Sequence, residues 1–583
     1  MQTPFYSYKQ YMIDRYGEAL FRVPIDLDFG CPNRDPDGTG GCTFCPVNGA
    51  RAQQTLQSET VEEQVHDAIE FSRRRYRAKK FMAYFQAYTS TFAPASEQRA
   101  LYERVLQKEK FDAVSIGTRP DCLSDETLDY LCELNKTVEV WIELGVQTAH
   151  NPTLERINRG HTWEQSREAI VKLHERGLKV AAHVILGLPG ETAEHFQRTA
   201  EALAELPLDG VKLHNLHLIR GTQLAFEYVR EPFHLFGPHE YAEHVIDFIR
   251  RLSPQTPIMR LTTDTPDEEL VAPIWRLEKG QFLEYLQQQM VFREYQQGDL
   301  FGAPDAECAK QGVQEAVVTD DGSVTFFSKD FKEHYHASVG ARTEAEQKFI
   351  APSNLEERLT AGPVRLLDVC FGLGYNSLCA VNKAQTLDAE LQVDALEIDR
   401  RVVRNAAATI QPHNSDAFDW KLVLERLYSE AQVSGDKYQV SMHWGDARWQ
   451  LQQLSDGVFD LVYLDAFSTQ KCSELWTVDF FRELYRVMKP DASLFTYCAA
   501  LPVRSGLLEA GFYVGETEAV GRARGGTIAS KNADDISLQI SETELDAIRN
   551  TTRGLPYRDP YLCWTNKQIL RHRQELVTEM KQR

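Results

Sequence analysis

CPNRDPDGTGGCTFC, residues 31–45, brings Cys31, Cys42 and Cys45 together in a C-x10-C-x2-C pattern behind a Gly-rich loop. Thiols this close in sequence point to a shared ligand, and three readings compete. A structural zinc site takes four ligands, yet no second C-x-x-C or H-x-x-x-H pair stands elsewhere in the chain. A redox C-x-x-C pair leaves Cys31 unexplained. A [4Fe-4S] cluster held by three cysteines keeps one iron open, so three becomes the functional number.

The chain around this stretch has 583 residues, too many for one core, so at least two domains are expected. Its 43% hydrophobic and 26% charged residues are those of an ordinary globular protein. No apolar run approaches the roughly 20 residues of a membrane span. The opening MQTPFYSYKQYMIDRYGEAL has no basic head followed by an apolar segment, so no signal peptide is expected and the expected location is cytoplasmic. Eleven cysteines without a secretory signal argue against a disulfide framework. Cys370 in LLDVCFG and Cys498 in LFTYCAA read as small buried hydrophobes. The net charge of −21 is spread over both halves. That weighs against a nucleic-acid partner without excluding one, since RRRYRAKK (Arg73 to Lys80) can be a solvated helix face or a phosphate contact.

From about 80 to 220, the strand-like runs KFMAYFQAYT, FDAVSIGT, VEVWIELGVQT, LKVAAHVILGLPG and DGVKLHNLHLI alternate with amphipathic helical stretches. One of these, TWEQSREAIVKLHERG, stops at Gly177. Repeating βαβ units predict a parallel sheet, as an open or closed barrel, with its functional loops at the C-terminal strand ends. Gly, Pro and polar residues at roughly 298–312 mark a connection. After it come a hairpin candidate, EAVVTDDGSVTFFS, and a second βα series: VRLLDVCFGLG, LQVDALEID, YQVSMHWGDA, FDLVYLDAF, ASLFTYCA and GFYVGETEA. The chain ends in a charged helical stretch, NKQILRHRQELVTEMKQR.

DLDFGCPNRDPDGTGGCTFC, FMAYFQAYTSTFAP, SIGTRPDCL, ELGVQTAHNPTLERINRGHT and HVILGLPGET, taken in order over about residues 3–298, resemble the YhcC-type branch of the radical-SAM superfamily. The C-x10-C-x2-C spacing departs from the usual C-x3-C-x2-C, a long first gap being characteristic of this branch. The resemblance implies that Cys31, Cys42 and Cys45 ligate a [4Fe-4S] cluster whose open iron chelates S-adenosylmethionine (SAM). An electron from a donor such as flavodoxin or ferredoxin then cleaves SAM to a 5′-deoxyadenosyl radical that abstracts a substrate hydrogen. Glu143, read as a strand-end residue in IELG, would meet polar groups of SAM, with a salt-bridge partner as the plainer role. Gly187 and Gly190 in GLPGE would admit its adenine. The superfamily's Gly-Gly-Glu strand motif is replaced by YFQAYTST.

In the second half, LLDVCFGLGYNSL is an apolar strand running through G-x-G into a helix, a turn that lets backbone approach a nucleotide-like ligand. Glu397 ends the next strand, where a carboxylate can bind two ribose hydroxyls; Asp446 in WGDAR stands where adenine contacts would lie, and Asp465 in YLDAF ends the fourth strand. Ser377 replaces the third glycine of a dinucleotide fingerprint, which favours SAM over NAD. TDDGSVTFFS, FGLGYNSL, FDLVYLDAFSTQKCSELWT, GLLEAGF and LPYRDPYL, over about 312–565, resemble the MnmC-like methyltransferases. That likeness implies cofactor binding by Asp368, Gly372, Gly374, Asn376, Glu397 and Asp446. It also implies that Asp465 faces the amine that receives the methyl group, unless it merely caps a helix. The family's FAP reads FST here (Phe467 to Thr469).

The expected fold is therefore α/β: a radical-SAM partial (β/α) barrel over 1–298, a linker over 299–312, and a Rossmann-like class I SAM-dependent methyltransferase over 313–583. The bifunctional member of the MnmC family joins its methyltransferase to an FAD domain that strips the carboxymethyl group from 5-carboxymethylaminomethyluridine at the tRNA wobble position. Here no G-x-G-x-x-G occurs, and the radical-SAM module stands in that domain's place. The resemblances imply a fusion enzyme for the anticodon wobble uridine of tRNA, with one SAM site per domain and no membrane partner. The radical-SAM half would give the 5-aminomethyl(-2-thio)uridine and the methyltransferase half its N-methyl product. A fusion acting on a peptide or small metabolite is the alternative. A third reading has the cysteines holding zinc while the first half only delivers RNA.

Overall fold

The structure is a computed structural model and describes residues 3–35, 39–49, 51, 58, 60–302, 315–518 and 525–582. Of the expected linker, 303–312 lies outside the described residues. The chain folds as two compact units. The first is Met1–Trp275 with Phe282–Gln287 and Tyr295–Cys308; the second is Arg276–Gln281, Gln288–Glu294 and Ala309–Arg583. The helix Lys279–Phe292 thus gives residues to both. Among the described residues, no helix is long and apolar enough to cross a membrane.

The first unit is built on seven strands, β1 (Phe21–Ile25), β2 (Phe81–Phe85), β3 (Ala113–Thr118), β4 (Glu139–Gln147), β5 (Lys179–Leu186), β6 (Gly210–Asn215) and β7 (Ile258–Arg260). They pair in sequence order and all in parallel, an open partial barrel. Five of the seven coincide with the strand-like runs of the sequence. β1 and β7 were not among them. FRVPI is short and carries Pro24, which an edge strand tolerates, and IMR is only three residues long. The helix Trp163–Glu175 starts with a Thr162/Gln165 capping box and stops before Gly177 at φ +75°, as its sequence predicts.

Alternation along the strands sorts side chains between the helix-covered face and the barrel lumen. Val140, Ile142 and Leu144 are fully buried on the outer face of β4. On the inner face, Met82, Ala113, Trp141 and Ala181 close the lumen floor together with Tyr8 and Met12 of the N-terminal helix Tyr8–Tyr16. Tyr8 and Tyr11 meet the Trp141 ring edge-on at 5.5 and 5.4 Å.

The second unit carries an eight-stranded sheet of β8 (Val364–Val369), β9 (Leu391–Glu397), β10 (Gln432–Ser434), β11 (Tyr438–Trp444), β12 (Phe459–Leu464), β13 (Met488–Thr496), β14 (Tyr513–Glu516) and β15 (Thr527–Ser530). Its order is β10-β11-β9-β8-β12-β13-β15-β14, with β11-β9-β8-β12-β13 parallel and the flanking strands antiparallel. The winding direction reverses between β8 and β12, which opens a crevice at their C-terminal ends. Two apolar clusters cover the two faces, one around Phe349, Leu378 and Trp420, the other around Trp476, Phe481 and Leu507. The Asp-Asp-Gly turn does form a hairpin, pairing Val317 with Thr325 and Val318 with Val324. The final charged stretch is the helix Asn566–Gln582.

Trp141 is fully buried and is the centre of the lumen floor. Trp141→Ala is expected to cost about 3–5 kcal/mol and to lower the melting midpoint of the first unit by on the order of 10 °C, measured by calorimetry; an unchanged midpoint would contradict this packing.

Candidate active sites

In the first unit the cysteine loop follows the C-terminal end of β1. Asp26 accepts from the Asp28 backbone N–H (2.9 Å), and its own N–H is held by the Gln64 side chain (2.8 Å). Gly40 and Gly41 turn the chain back at φ +77° and +94°, with the Gly41 N–H bonded to the Asn33 carbonyl (2.7 Å). Cys42 is buried and receives two donors at its sulfur: Arg159 at 3.5 Å and the Asn33 amide at 3.6 Å. The same Arg159 donates to the Gly145 carbonyl at the end of β4 (2.7 and 3.2 Å), which locks the cysteine loop to the sheet. Gly145 has no side chain because a Cβ there would meet Arg159 at 2.4 Å. Arg34 holds the Cys45 and Pro46 carbonyls at 3.2 and 2.7 Å. Arg119, beside Cys31, is buried and paired with Asp121 (2.7 Å), and its second terminal nitrogen has no hydrogen-bond partner.

This donor set fits an iron–sulfur cluster. A cluster with its thiolates is anionic, and guanidinium and amide N–H groups aimed at the sulfurs are what tune it. Among the described residues, no three Cys, His, Asp or Glu side chains gather around a single ion position. A four-iron cluster takes one thiolate per iron, so its ligands stand apart. Arg159, Asn33 and Arg119 were missed in the sequence. The available signal was Gly160 in RINRGHT, at φ +77°, where a Cβ would meet Asn33 at 2.6 Å and Arg119 at 2.9 Å.

Three expectations need correction or detail. Glu143 is not at a strand end: it is the fifth of the nine residues of β4, faces the lumen, and is fully buried. Its carboxylate accepts from Tyr84 (3.0 Å), Ser115 (2.8 Å), His183 (2.7 Å) and Lys212 (2.7 Å), with Arg22 at 3.2 Å. Lys212 foremost, with Arg22 and His183, holds it ionised, well below the usual range despite burial. Gly187 and Gly190 lie at φ +95° and +89°; a Cβ on Gly187 would press on Phe236 at 3.2 Å, whereas Gly190 faces open space. Cys370 is partly exposed at φ +70° in a turn, and Cys498 is partly exposed too, so neither is the buried filler its run suggested.

In the second unit that turn is the glycine stretch after β8. Cys370, Gly372 and Gly374 all have positive φ (+70°, +57°, +90°). A Cβ on Gly374 would meet the Phe371 ring at 2.6 Å. The turn feeds the helix Tyr375–Thr386. Glu397 accepts from the Gly372 N–H (2.7 Å) and the Asp399 N–H (2.8 Å), and burial pushes its carboxyl up to about 7. Asp368 accepts from Ser377 (2.5 Å), while its other oxygen is buried without a hydrogen-bond partner. Burial, with the nearby Asp465, pushes it up to about 7 as well. Asn376 donates to Asp465 (3.0 Å). The structure thus brings Asp368, Gly372, Gly374, Asn376, Glu397 and Asp465 to one strand-end crevice.

Asp446, the expected adenine contact, is buried and ion-paired. Arg448 spans both its oxygens (3.0 and 2.7 Å) and also reaches Asp559 (2.8 Å) and the Trp564 carbonyl (2.8 Å), so this carboxylate braces the 559–564 segment. The Phe467–Thr469 departure has a local reason: the Ser468 N–H donates to Glu333 at 3.0 Å, and its hydroxyl donates to the same carboxylate. Phe331 stacks on Phe467 (4.6 Å), and Tyr497 donates to the Ala466 carbonyl (2.8 Å), walling Asp465 with aromatic rings.

Comparison with known proteins agrees with these two geometries. The Radical SAM superfamily model matches residues 29–203 and its Radical_SAM C-terminal domain model matches 208–291. Protein YhcC of Escherichia coli K12 is 39% identical over 264 residues, 45% of this chain and 84% of that protein. The chain belongs to the YhcC-type branch of the radical SAM superfamily. Its second half is an S-adenosyl-L-methionine-dependent methyltransferase domain, matched at 414–532. The bifunctional tRNA 5-methylaminomethyl-2-thiouridine biosynthesis protein MnmC of Pseudomonas syringae is 26% identical over 207 residues, 33% of this chain and 31% of that one. The tRNA uridine(34) acetyltransferase of Methanocaldococcus jannaschii is 30% identical over 175 residues, 29% of this chain and 32% of that one. The protein is therefore an enzyme that uses a [4Fe-4S] cluster and SAM in one domain and SAM as methyl donor in the other.

Asp368 titrates near 7 in the folded chain against 3.8 unfolded, so the folded state binds the extra proton between these values. Stability from this group is present below about pH 4 and is lost as pH rises to about 7. Asp368→Asn is expected to flatten that part of the pH–stability curve, read by urea unfolding at pH 4.5 and 7.5; an unchanged slope would contradict the assignment.

Proposed function

We propose that this YhcC-type fusion modifies the tRNA wobble uridine in two steps. The domain over 1–298 converts 5-carboxymethylaminomethyl(-2-thio)uridine to the 5-aminomethyl form, and the domain over 313–583, reached through 299–312, methylates the amine. What carries this reading is the union in one chain of a radical-SAM module with a domain resembling the MnmC protein. MnmC is named for the methylaminomethyl product, and 29% of the chain is also similar to a tRNA uridine(34) acetyltransferase.

With the cluster and SAM bound, one electron from a donor such as flavodoxin or ferredoxin would let the site supply a hydrogen-abstracting radical derived from SAM. In the substrate, the hydrogen leaves the CH2 between nitrogen and carboxylate. Returning one electron to the same redox chain gives an imine, and water splits that into the free amine and glyoxylate, so atoms and electrons balance. Cys31, Cys42 and Cys45 hold the cluster in this reading, Arg159 and Asn33 fix the Cys42 sulfur, and Gly187 and Gly190 admit adenine.

In the second domain, Glu397 would bind the ribose hydroxyls of SAM, and Gly372, Gly374, Asp368 and Asn376 would form the rest of its cradle. The nucleophile must be a neutral amine aligned behind the methyl group. Asp465, oriented by Asn376, would accept its N–H; as the N–CH3 bond forms the S–CH3 bond breaks, S-adenosylhomocysteine leaves, and the amine proton passes to Asp465. Asp446 has no adenine contact in this reading.

The test is anaerobic reconstitution with SAM, dithionite and tRNA carrying 5-carboxymethylaminomethyluridine, followed by nucleoside mass spectrometry. Wild type should yield the 5-methylaminomethyl nucleoside, Cys42→Ala should leave the substrate unchanged, and Asp465→Ala should accumulate the free amine with at least about a 100-fold loss of methylation. SAM cleavage with an unaltered nucleoside would reject the tRNA substrate.

SAM binding to the second domain gives an independent check. A carboxylate accepting two hydroxyls binds best ionised, so with Glu397 near 7, affinity should rise as pH increases from 6 to 8. Glu397→Gln should remove the rise, as measured by calorimetric titration with S-adenosylhomocysteine.

A further inference from the structure

The lumen of the first unit is layered. Its floor is apolar and aromatic, set by Met82, Ala113, Trp141 and Ala181. Two residues further along each strand comes a charged layer: Tyr84, Ser115, Glu143, His183 and Lys212, joined by Arg22 and Arg260 from the two edge strands. Two residues further still, β3 and β4 carry Gly117 and Gly145, and the Arg159 guanidinium and the Gln147 amide lie over Gly145.

The charges in this layer do not balance. Arg22, Lys212 and Arg260 are cations and His183 and His214 can become so, while Glu143 is the one carboxylate that they pair with among the described residues. The excess positive charge is visible in its effects: burial, Lys212 and Arg260 together push His183 down to about 4, and burial with the same cations holds His214 well below the usual range. Among the described residues Arg260 makes no hydrogen bond or ion pair, although it stands within electrostatic reach of Tyr84, His183, Lys212 and His214. The His214 Nε2 is buried without a hydrogen-bond partner. Arg22 and His183 keep 22% and 19% side-chain exposure against 2% for Lys212 and none for Glu143, so solvent reaches the layer at Arg22 and His183. Three cations around one carboxylate, with the partly exposed Arg260 unpaired among the described residues, are an incomplete ion cluster.

We propose that this layer is a carboxylate subsite, completed by the carboxylate of the substrate's N-carboxymethyl group, with Arg260 as its principal donor. The assignment rests on the wobble-uridine reading for the identity of the ligand. It places the two-carbon unit to be removed below the strand ends that hold Cys42 through Gly145 and Arg159. SAM also has a carboxylate, but in the radical-SAM arrangement that group chelates the open iron and is not free to descend into the lumen.

The experiment uses the full-length reconstituted holoenzyme, Arg260→Gln and Arg260→Lys. Sodium N-methylglycine, which reproduces the –NH–CH2–COO⁻ unit, and the neutral N-methylglycinamide are compared by saturation-transfer NMR; tRNA turnover and SAM affinity are measured in parallel. Wild type should bind N-methylglycine and not the amide. Arg260→Gln should abolish that signal and raise the KM for carboxymethyl-bearing tRNA roughly 10- to 100-fold with SAM affinity unchanged, and Arg260→Lys should restore part of both. An unchanged KM and NMR signal in Arg260→Gln would overturn the proposal. So would loss of SAM affinity with tRNA KM unchanged, because the layer would then serve the SAM carboxylate. If wild type binds N-methylglycine yet leaves the tRNA nucleoside untouched, the anion subsite stands and the tRNA reading fails.

Discussion

The first unit's interior depends on the ionised carboxylate of Glu143. Side chains from five other strands converge on it or on its partners: Arg22, Tyr84, Ser115, His183 and Lys212. Removing a charge from water costs several kcal/mol unless partners replace the solvent, and here the neighbours replace it almost completely. The strands' mutual register is thereby pinned from inside, since a slip of one residue would turn Glu143 toward the helices and Ile142 or Leu144 into the charged layer. A barrel filled only with aliphatic side chains would be easier to stabilise and would leave no room for a polar substrate. An aromatic floor closes this layer below, and Arg159 and Gln147 lie over Gly145 above it.

The second unit meets a different constraint at its glycine turn. Three residues with positive φ in five positions are backbone that ordinary side chains resist. Glu397 offsets that cost by taking the Gly372 N–H, and the Phe371 ring fills the space a Cβ on Gly374 would need. The turn and the acid of the next strand are thus one construction, which explains why Glu397 is buried and still so placed that its oxygens face the crevice where β8 and β12 diverge.

Much of this was readable from residue order alone. Periodicity gave the central strands of both sheets, because buried parallel strands are long apolar runs bounded by turn residues. The edges escaped: FRVPI holds a proline, IMR has three residues, and Gln432–Ser434 has the same length, too short for any pattern. Motif positions singled out the cysteines, the glycine turn and Asp465. They misplaced Glu143, since a charged residue inside an apolar run reads as a strand end when no signal announces a polar lumen. They could not see that Arg448 would claim Asp446, or that Arg159 would span from Cys42 to β4, because such pairings join residues distant in sequence. Gly145 and Gly160 were the indirect traces of that arginine, positions where a side chain would collide with it or with its neighbours.

The two candidate sites differ in the sign of their surroundings. Around the cysteines stand Arg34, Arg119 and Arg159, cations that favour the anionic sulfur-rich group expected there and ease the arrival of another electron. Around the glycine turn stand the acids Asp368, Glu397 and Asp465. Two of those acids are raised to about 7 by burial without a cation beside them. A positively charged ligand entering that crevice would supply the missing counter-charge and draw them toward ionisation. Cofactor binding and the charge state of the site are therefore coupled in the second unit, whereas in the first the protein's own arginines already provide the counter-charge.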